Sequence, residues 1–125
     1  MTKPPNLAKK DLSHANLATA NLAGADLHEA RLRDATLKEA NLEATDLTEA
    51  DLTHANLAGA SLREATVAHA NLERADLRDA DLDGANLRGA RLVGAKLGEA
   101  ERAIAELAGA ELEEPGAGEG STSPQ

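Results

Sequence analysis

Four histidines, His14, His28, His54 and His69, and 22 carboxylates are the side chains of this sequence best suited to hold a metal or move a proton. Cysteine is absent, which removes disulfides, thiolate nucleophiles and Cys-based zinc sites. Ser13, Ser61 and the serines near the C-terminus stand in no nucleophile-elbow motif. The glycine-containing stretches match neither a P-loop nor a dinucleotide fingerprint. No enzymatic activity and no cofactor are therefore expected. Carboxylates remain: Asp26 and Asp46, like Glu29 and Glu49, are twenty residues apart. If the fold set them on one face, these four acids would suit a cation or a basic protein partner.

The fold must be sought in a repeat. From Ala15 the chain reads ANLAT ANLAG ADLHE ARLRD ATLKE ANLEA TDLTE ADLTH ANLAG ASLRE ATVAH ANLER ADLRD ADLDG ANLRG ARLVG AKLGE. The third position is Leu except at Val67, and the first is Ala except at Thr45. A helix advances about 100° per residue, so leucines five apart would point to every side of it. In a flat strand an odd period would send alternate leucines to opposite faces. A chain that turns a corner after each unit keeps every Leu inside. Four corners close a square coil of about twenty residues, and stacked coils make a parallel β-helix. The second position is Asn or Asp in 13 of the 19 units from Asn6 to Lys96, residues that bond nearby backbone and support turns. Gly24, Gly59, Gly84, Gly89 and Gly94 close units where permissive dihedrals help the corner.

On these residues the chain resembles the pentapeptide-repeat proteins, whose pattern is A(D/N)LXX, from about Asn6 to Glu99. The resemblance implies an all-β solenoid, a right-handed quadrilateral parallel β-helix, here of about five coils. The period alone does not give the handedness.

A twenty-residue coil stacks the core into four columns. Leu7, Leu27, Leu47, Val67 and Leu87 form the first, and Leu12, Leu32, Leu52, Leu72 and Leu92 the second. Leu17, Leu37, Leu57, Leu77 and Leu97 form the third, and Leu22, Leu42, Leu62 and Leu82 the fourth. At the usual strand spacing the rod is about 23 Å long. It has no Phe, Tyr or Trp, which a Leu-lined tube does not need. The columns place Asp26, Glu29, Asp46 and Glu49 together as an acidic patch, partly offset by neighbouring Lys and Arg. They leave no two histidines one coil apart in one column, so no metal site is expected. Asp79, Asp81 and Asp83 are expected as a second acidic cluster near Arg74, Arg78 and Arg88.

Residues 1–5 form a lead-in, in which Pro4 and Pro5 blunt the open first edge. Residues 6–99 form the β-helix. The repeat breaks at Arg102, which would place a guanidinium at a core position. Residues 100–114 are expected to cap the last coil as a helix, with Leu97, Ile104, Leu107 and Leu112 as its apolar residues; the alternative is a final degenerate coil, in which Ala105-Glu106-Leu107 and Ala110-Glu111-Leu112 restore the five-residue register. The Gly/Ser-rich residues 115–125 are expected to be disordered. No apolar run reaches transmembrane length and the start lacks a signal peptide, so a cytoplasmic location is expected.

Net charge is −9, with residues 101–125 carrying six glutamates against Arg102. That balance argues against nucleic-acid and anionic-membrane partners. Two roles follow. One is a non-enzymatic scaffold or protein-interaction module with an unidentified protein partner. The other is implied by the resemblance, because some family members mimic DNA, bind DNA gyrase and protect it from quinolones or toxins. The capping segment also offers a weak homodimer contact, opposed by its glutamates and favoured by salt.

Overall fold

The computed structural model describes residues 3–112. The expected tail, residues 115–125, and the last two residues of the expected cap lie outside them. Every β-bridge is parallel, and each joins residues twenty apart, from Asn6–Asp26 to Arg91–Glu111. The chain is thus a four-sided coil stacked on itself, with four leucine columns inside.

One unit shows why five residues suffice. In Ala25–Glu29, Ala25 N–H donates to the Leu22 carbonyl across the corner (3.0 Å). Asp26 N–H donates back to Pro5 (3.0 Å), while Leu27 and Glu29 donate forward to Asp46 and Thr48 (2.8 and 2.9 Å). The remaining donor, His28 N–H, reaches the Asp26 side chain (3.1 Å). All five N–H groups are satisfied, as burial against neighbouring coils demands. The side-chain bond recurs at every Asn or Asp in the second position, from Asn6 to Asn86. The sequence preference is therefore an acceptor for the one N–H that the ladder leaves over.

The fifth residue of each unit turns the corner, and from Lys9 to Gly94 each has positive φ. Sequence reasoning expected this of the glycines; thirteen non-glycine residues adopt it as well. The left-handed region costs an L-residue about 1–2 kcal/mol, and the closed ladder outweighs it. Ala44, exposed at φ 59, isolates that cost. Ala44→Gly is expected to raise stability by about 0.5–1 kcal/mol, after the entropy glycine adds to the unfolded chain. A urea midpoint that moves down would contradict the strain account.

Leu27, Leu32, Leu37, Leu42, Leu47, Leu52 and Leu57 are 0% exposed, and Leu62, Val67, Leu72, Leu77, Leu82, Leu87 and Leu92 no more than 2%. Ala fills the inward corner beside them. Thr45, in an Ala position, is 1% exposed and spends its hydroxyl on the Leu42 carbonyl at 2.8 Å. A buried hydroxyl with a partner costs little. Leu7, Leu12 and Leu17 are only half-buried, because among the described residues the first coil has a neighbour on one side alone.

At the other end the ladder gives way to α1, Glu99–Leu107. Lys96 cannot accept the Gly98 N–H as an Asn or Asp would. Glu101 does so instead, at 2.7 Å, from the third helical position. Gly109, at φ +88, closes the helix: its N–H donates to Glu106, and Ala110 N–H to Ala105. The chain then re-enters the coil, where Glu111 bridges Arg91. Ala105-Glu106-Leu107 thus lies in the helix and not in a coil, whereas Ala110-Glu111-Leu112 does resume the register, because α1 stands in for two units.

Helix rotation decides what covers the core. Glu101, Ala105 and Ala108 turn inward, and Ala105 is 0% exposed. Leu97 and Leu112 are half-buried, Ile104 is 37% exposed and Leu107 90%. Arg102 is exposed, so no guanidinium enters the core.

Candidate protein-interaction surface

Three positions per unit point outward: the second, fourth and fifth. Their charges divide unequally among the four faces. The face over the Leu27 column carries Asp26, Glu29, Asp46 and Glu49 against Lys9 and Arg88. The adjacent face, over the Leu42 column, carries Glu43, Glu64, Asp81 and Asp83 against Arg63. These two faces share a corner and together hold eight acids and three bases. The other two hold eight acids and seven bases, nearly balanced.

On the first face Asp26 and Asp46 bridge directly through their backbones, so their carboxylates stack one coil apart. Glu29 and Glu49 stack the same way at the corner, both at positive φ. Lys9 lies 3.7 Å from Glu29. His28 Nδ1 sits 2.8 Å from Asp26 Oδ1. That hydrogen bond lowers the Asp26 pKa and raises that of His28. Its stabilisation is full below the ordinary histidine value of 6.5 and fades as pH rises through the raised one. Asp26, His28 and Asp46 hold one ligand atom each within 4.8 Å of one another. Among the described residues they are the group that could touch a metal. Sequence reasoning paired Asp26 with Asp46 for a cation but left out His28, because it sought pairs of histidines and did not foresee that second- and fourth-position side chains of one unit meet.

The cluster expected at Asp79, Asp81 and Asp83 is divided by the corner. Asp79 belongs to the face over the Leu77 column, whereas Asp81 and Asp83 are held by Arg63 of the preceding coil, at 3.4 and 3.1 Å. Arg74, Arg78 and Arg88 do not serve them. The readable signal was the separation of 18 and 20 residues, one coil length.

Arg78 instead pairs with Asp76 in its own unit, with bonds of 3.0 and 2.8 Å. The Arg78 guanidinium holds the Asp76 pKa down at about 2. A lowered folded pKa stabilises above the unfolded value and loses that effect as pH falls through the folded one. Asp76→Asn should therefore lose stability at neutral pH and show a flatter decline between about pH 4 and 2. Melting temperatures across that range measure it; an unchanged acid slope would count against the pair.

A notch of about 280 Å³ on the face over the Leu52 column is lined by Arg33, Thr53, His54, Asn71, Glu73 and Arg74. It exists because small Thr53 sits between longer side chains. Glu73 is bonded by Arg91 at 3.2 Å, which lowers its pKa. Its walls are polar and solvated, unlike the apolar clefts that hold small substrates.

A square parallel coil with small inward corners, side-chain-capped turns and a helical end defines a class of solenoid. Residues 6–38, 30–67 and 60–98 match the Pentapeptide repeats family, and the chain belongs to it. Its fold is the right-handed quadrilateral β-helix of that family. Among solved structures, it is similar to a pentapeptide repeat protein of the Arabidopsis thaliana thylakoid lumen, at 29% identity and TM-score 0.65, over 90% of this chain and 81% of that one. It is also similar to the pentapeptide repeat protein Rfr23 of the cyanobacterium Cyanothece 51142, at 41% identity and TM-score 0.70, over 82% of this chain and 64% of that one. The fluoroquinolone resistance protein QnrB1 shares the fold at 18% identity and TM-score 0.57, over 74% of this chain and 63% of that one. No curated protein matches the chain.

Proposed function

We propose that the protein is a non-enzymatic interaction rod that presents its two acidic faces to a basic surface of a protein partner. The observation that carries this is the unequal division of charge, eight acids against three bases on adjacent faces. A rigid rod holds those carboxylates at fixed one-coil spacing, so a complementary row of Lys and Arg binds without ordering the rod. Reversing Glu29, Glu49, Glu43 and Glu64 to Lys tests it. These side chains are exposed and make no ladder bond, so the fold should survive. Capture of partners from a host lysate should fall at least tenfold and weaken with salt. Equal capture by the reversed and native rods would refute the acidic faces.

Gyrase protection is the second reading, suggested by the shared fold with a fluoroquinolone resistance protein. Charge density opposes it. A duplex as long as the rod, about 23 Å, carries about 14 phosphate charges, whereas the acidic faces hold a surplus of five. A gyrase supercoiling assay with a quinolone is expected to show no rescue at stoichiometric protein. Rescue would promote this reading over the first.

A further inference from the structure

The two ends of the rod are chemically opposite. At the first coil, among the described residues, the bridges of Asn6, Asp11, Asn16 and Asn21 run only forward, to Asp26, Arg31, Thr36 and Asn41. Among the described residues nothing receives their outward N–H groups or serves their carbonyls. Leu7, Leu12 and Leu17 lie half-buried behind this edge. The lead-in and first coil, residues 3–25, hold Lys3, Lys9 and Lys10 against Asp11 alone. The entry end is therefore basic, partly apolar and rich in unpaired backbone.

The exit end carries α1. With Glu101, Ala105 and Ala108 turned inward, the flank at Ala100, Ala103, Ile104 and Leu107 has the i, i+3, i+4, i+7 spacing of a helix stripe, and all four are exposed. Leu107, at 90%, is the most exposed large apolar residue described. Glu99, Glu106 and Glu111 are exposed beside the stripe against Arg102, with Glu111 3.6 Å from Arg91. The exit end is thus acidic, and its apolar stripe has no partner among the described residues.

We infer that the entry end of one copy receives the α1 stripe of a second copy, so that the rods associate head to tail. Charge selects this arrangement over helix against helix. Two exit ends would oppose glutamate to glutamate, whereas an exit end on an entry end sets Glu99, Glu106 and Glu111 toward Lys3, Lys9 and Lys10. Ile104 and Leu107 then cover the half-buried leucines of the first coil. The contact is heterologous, so each addition leaves both kinds of end available and growth does not stop at two. Opposite charge makes it weaken with salt, while a contact between like ends would strengthen.

Sedimentation velocity on the full chain, over a concentration series at about 20 and 500 mM salt, measures both signs; the Debye length shrinks several-fold across that range. The expected result is a weight-average mass that rises past the dimer at low salt, with association at least tenfold weaker at high salt. Leu107→Glu should abolish it, and so should the pair Lys9→Glu, Lys10→Glu. All three side chains are exposed, and unchanged melting curves would show that each variant folds. Mixed together, these two variants should form a one-to-one complex, because each keeps the end the other lacks. A dimer that strengthens with salt, survives in the lysine variant and fails to form in the mixture would mean that α1 pairs with itself and would overturn the inference. A chain that stays monomeric at both salts would overturn it as well.

Discussion

Leu52→Asp is expected to abolish the cooperative fold. Leu52 is 0% exposed, and its N–H donates to Asn71 at 2.6 Å, so the side chain cannot swing outward without breaking the ladder. Truncating a buried Leu costs about 2–5 kcal/mol, and a carboxylate without a partner in an apolar tube adds several more. A domain holds only about 5–15 kcal/mol in all. Solenoid coils lean mainly on their neighbours, so position matters as much as chemistry. Leu52 has coils on both sides, and its loss splits the stack. Leu12→Asp, in the half-buried first coil, should fray that coil and leave the rest folded. Leu107→Asp, at the 90% exposed site, should leave the melting curve unchanged. Circular dichroism melts of the three variants give the order; a native-like melt for Leu52→Asp would mean that the column does not point inward.

That gradient also marks what could be read in the sequence. The five-residue period excludes a helix and a flat strand by geometry, and the twenty-residue closure then assigns each Leu to a column. The 13 Asn and Asp residues announced their turn bonds by type and position. The fifth position announced nothing, because Glu, His, Asp and Arg at positive φ violate local preference, and only the closed ladder imposes it. Helix rotation was hidden for a related reason. Local spacing favoured Ile104 and Leu107 as the buried side, whereas Gly98, Gly109 and re-entry at Glu111 set the angle and turned Ala105 in. Of the candidate surface, the Asp26–Glu49 patch was visible as residues twenty apart. The second acidic face was not, since Glu43 and Glu64 join Asp81 and Asp83 only once the corners are placed.

Proline separates the structural donors from the spare ones. Thr66→Pro is expected to be strongly destabilising, and Ala68→Pro, two residues on, tolerated. Thr66 N–H donates to the Thr45 carbonyl at 2.9 Å, and Thr45 is 1% exposed. Proline would leave that buried carbonyl without a donor, roughly 1–3 kcal/mol, and its ring would press against the coil below. Ala68 differs in each respect. Its unit has Thr66 in place of Asn or Asp, and among the described residues its N–H has no acceptor. It occupies the second place of the corner that His69 completes at φ 60, closed by Ala70 N–H on Val67 at 3.2 Å. Turns of that φ pattern favour proline there, and Val67 before it, in an extended core position, suits a residue preceding proline. The stiffened unfolded chain contributes about 0.4–1 kcal/mol. Urea midpoints for the two variants should therefore differ by about 2 kcal/mol or more in stability, with Ala68→Pro at or above the native value. Equal midpoints would show that the second-position donors do not hold the coils together.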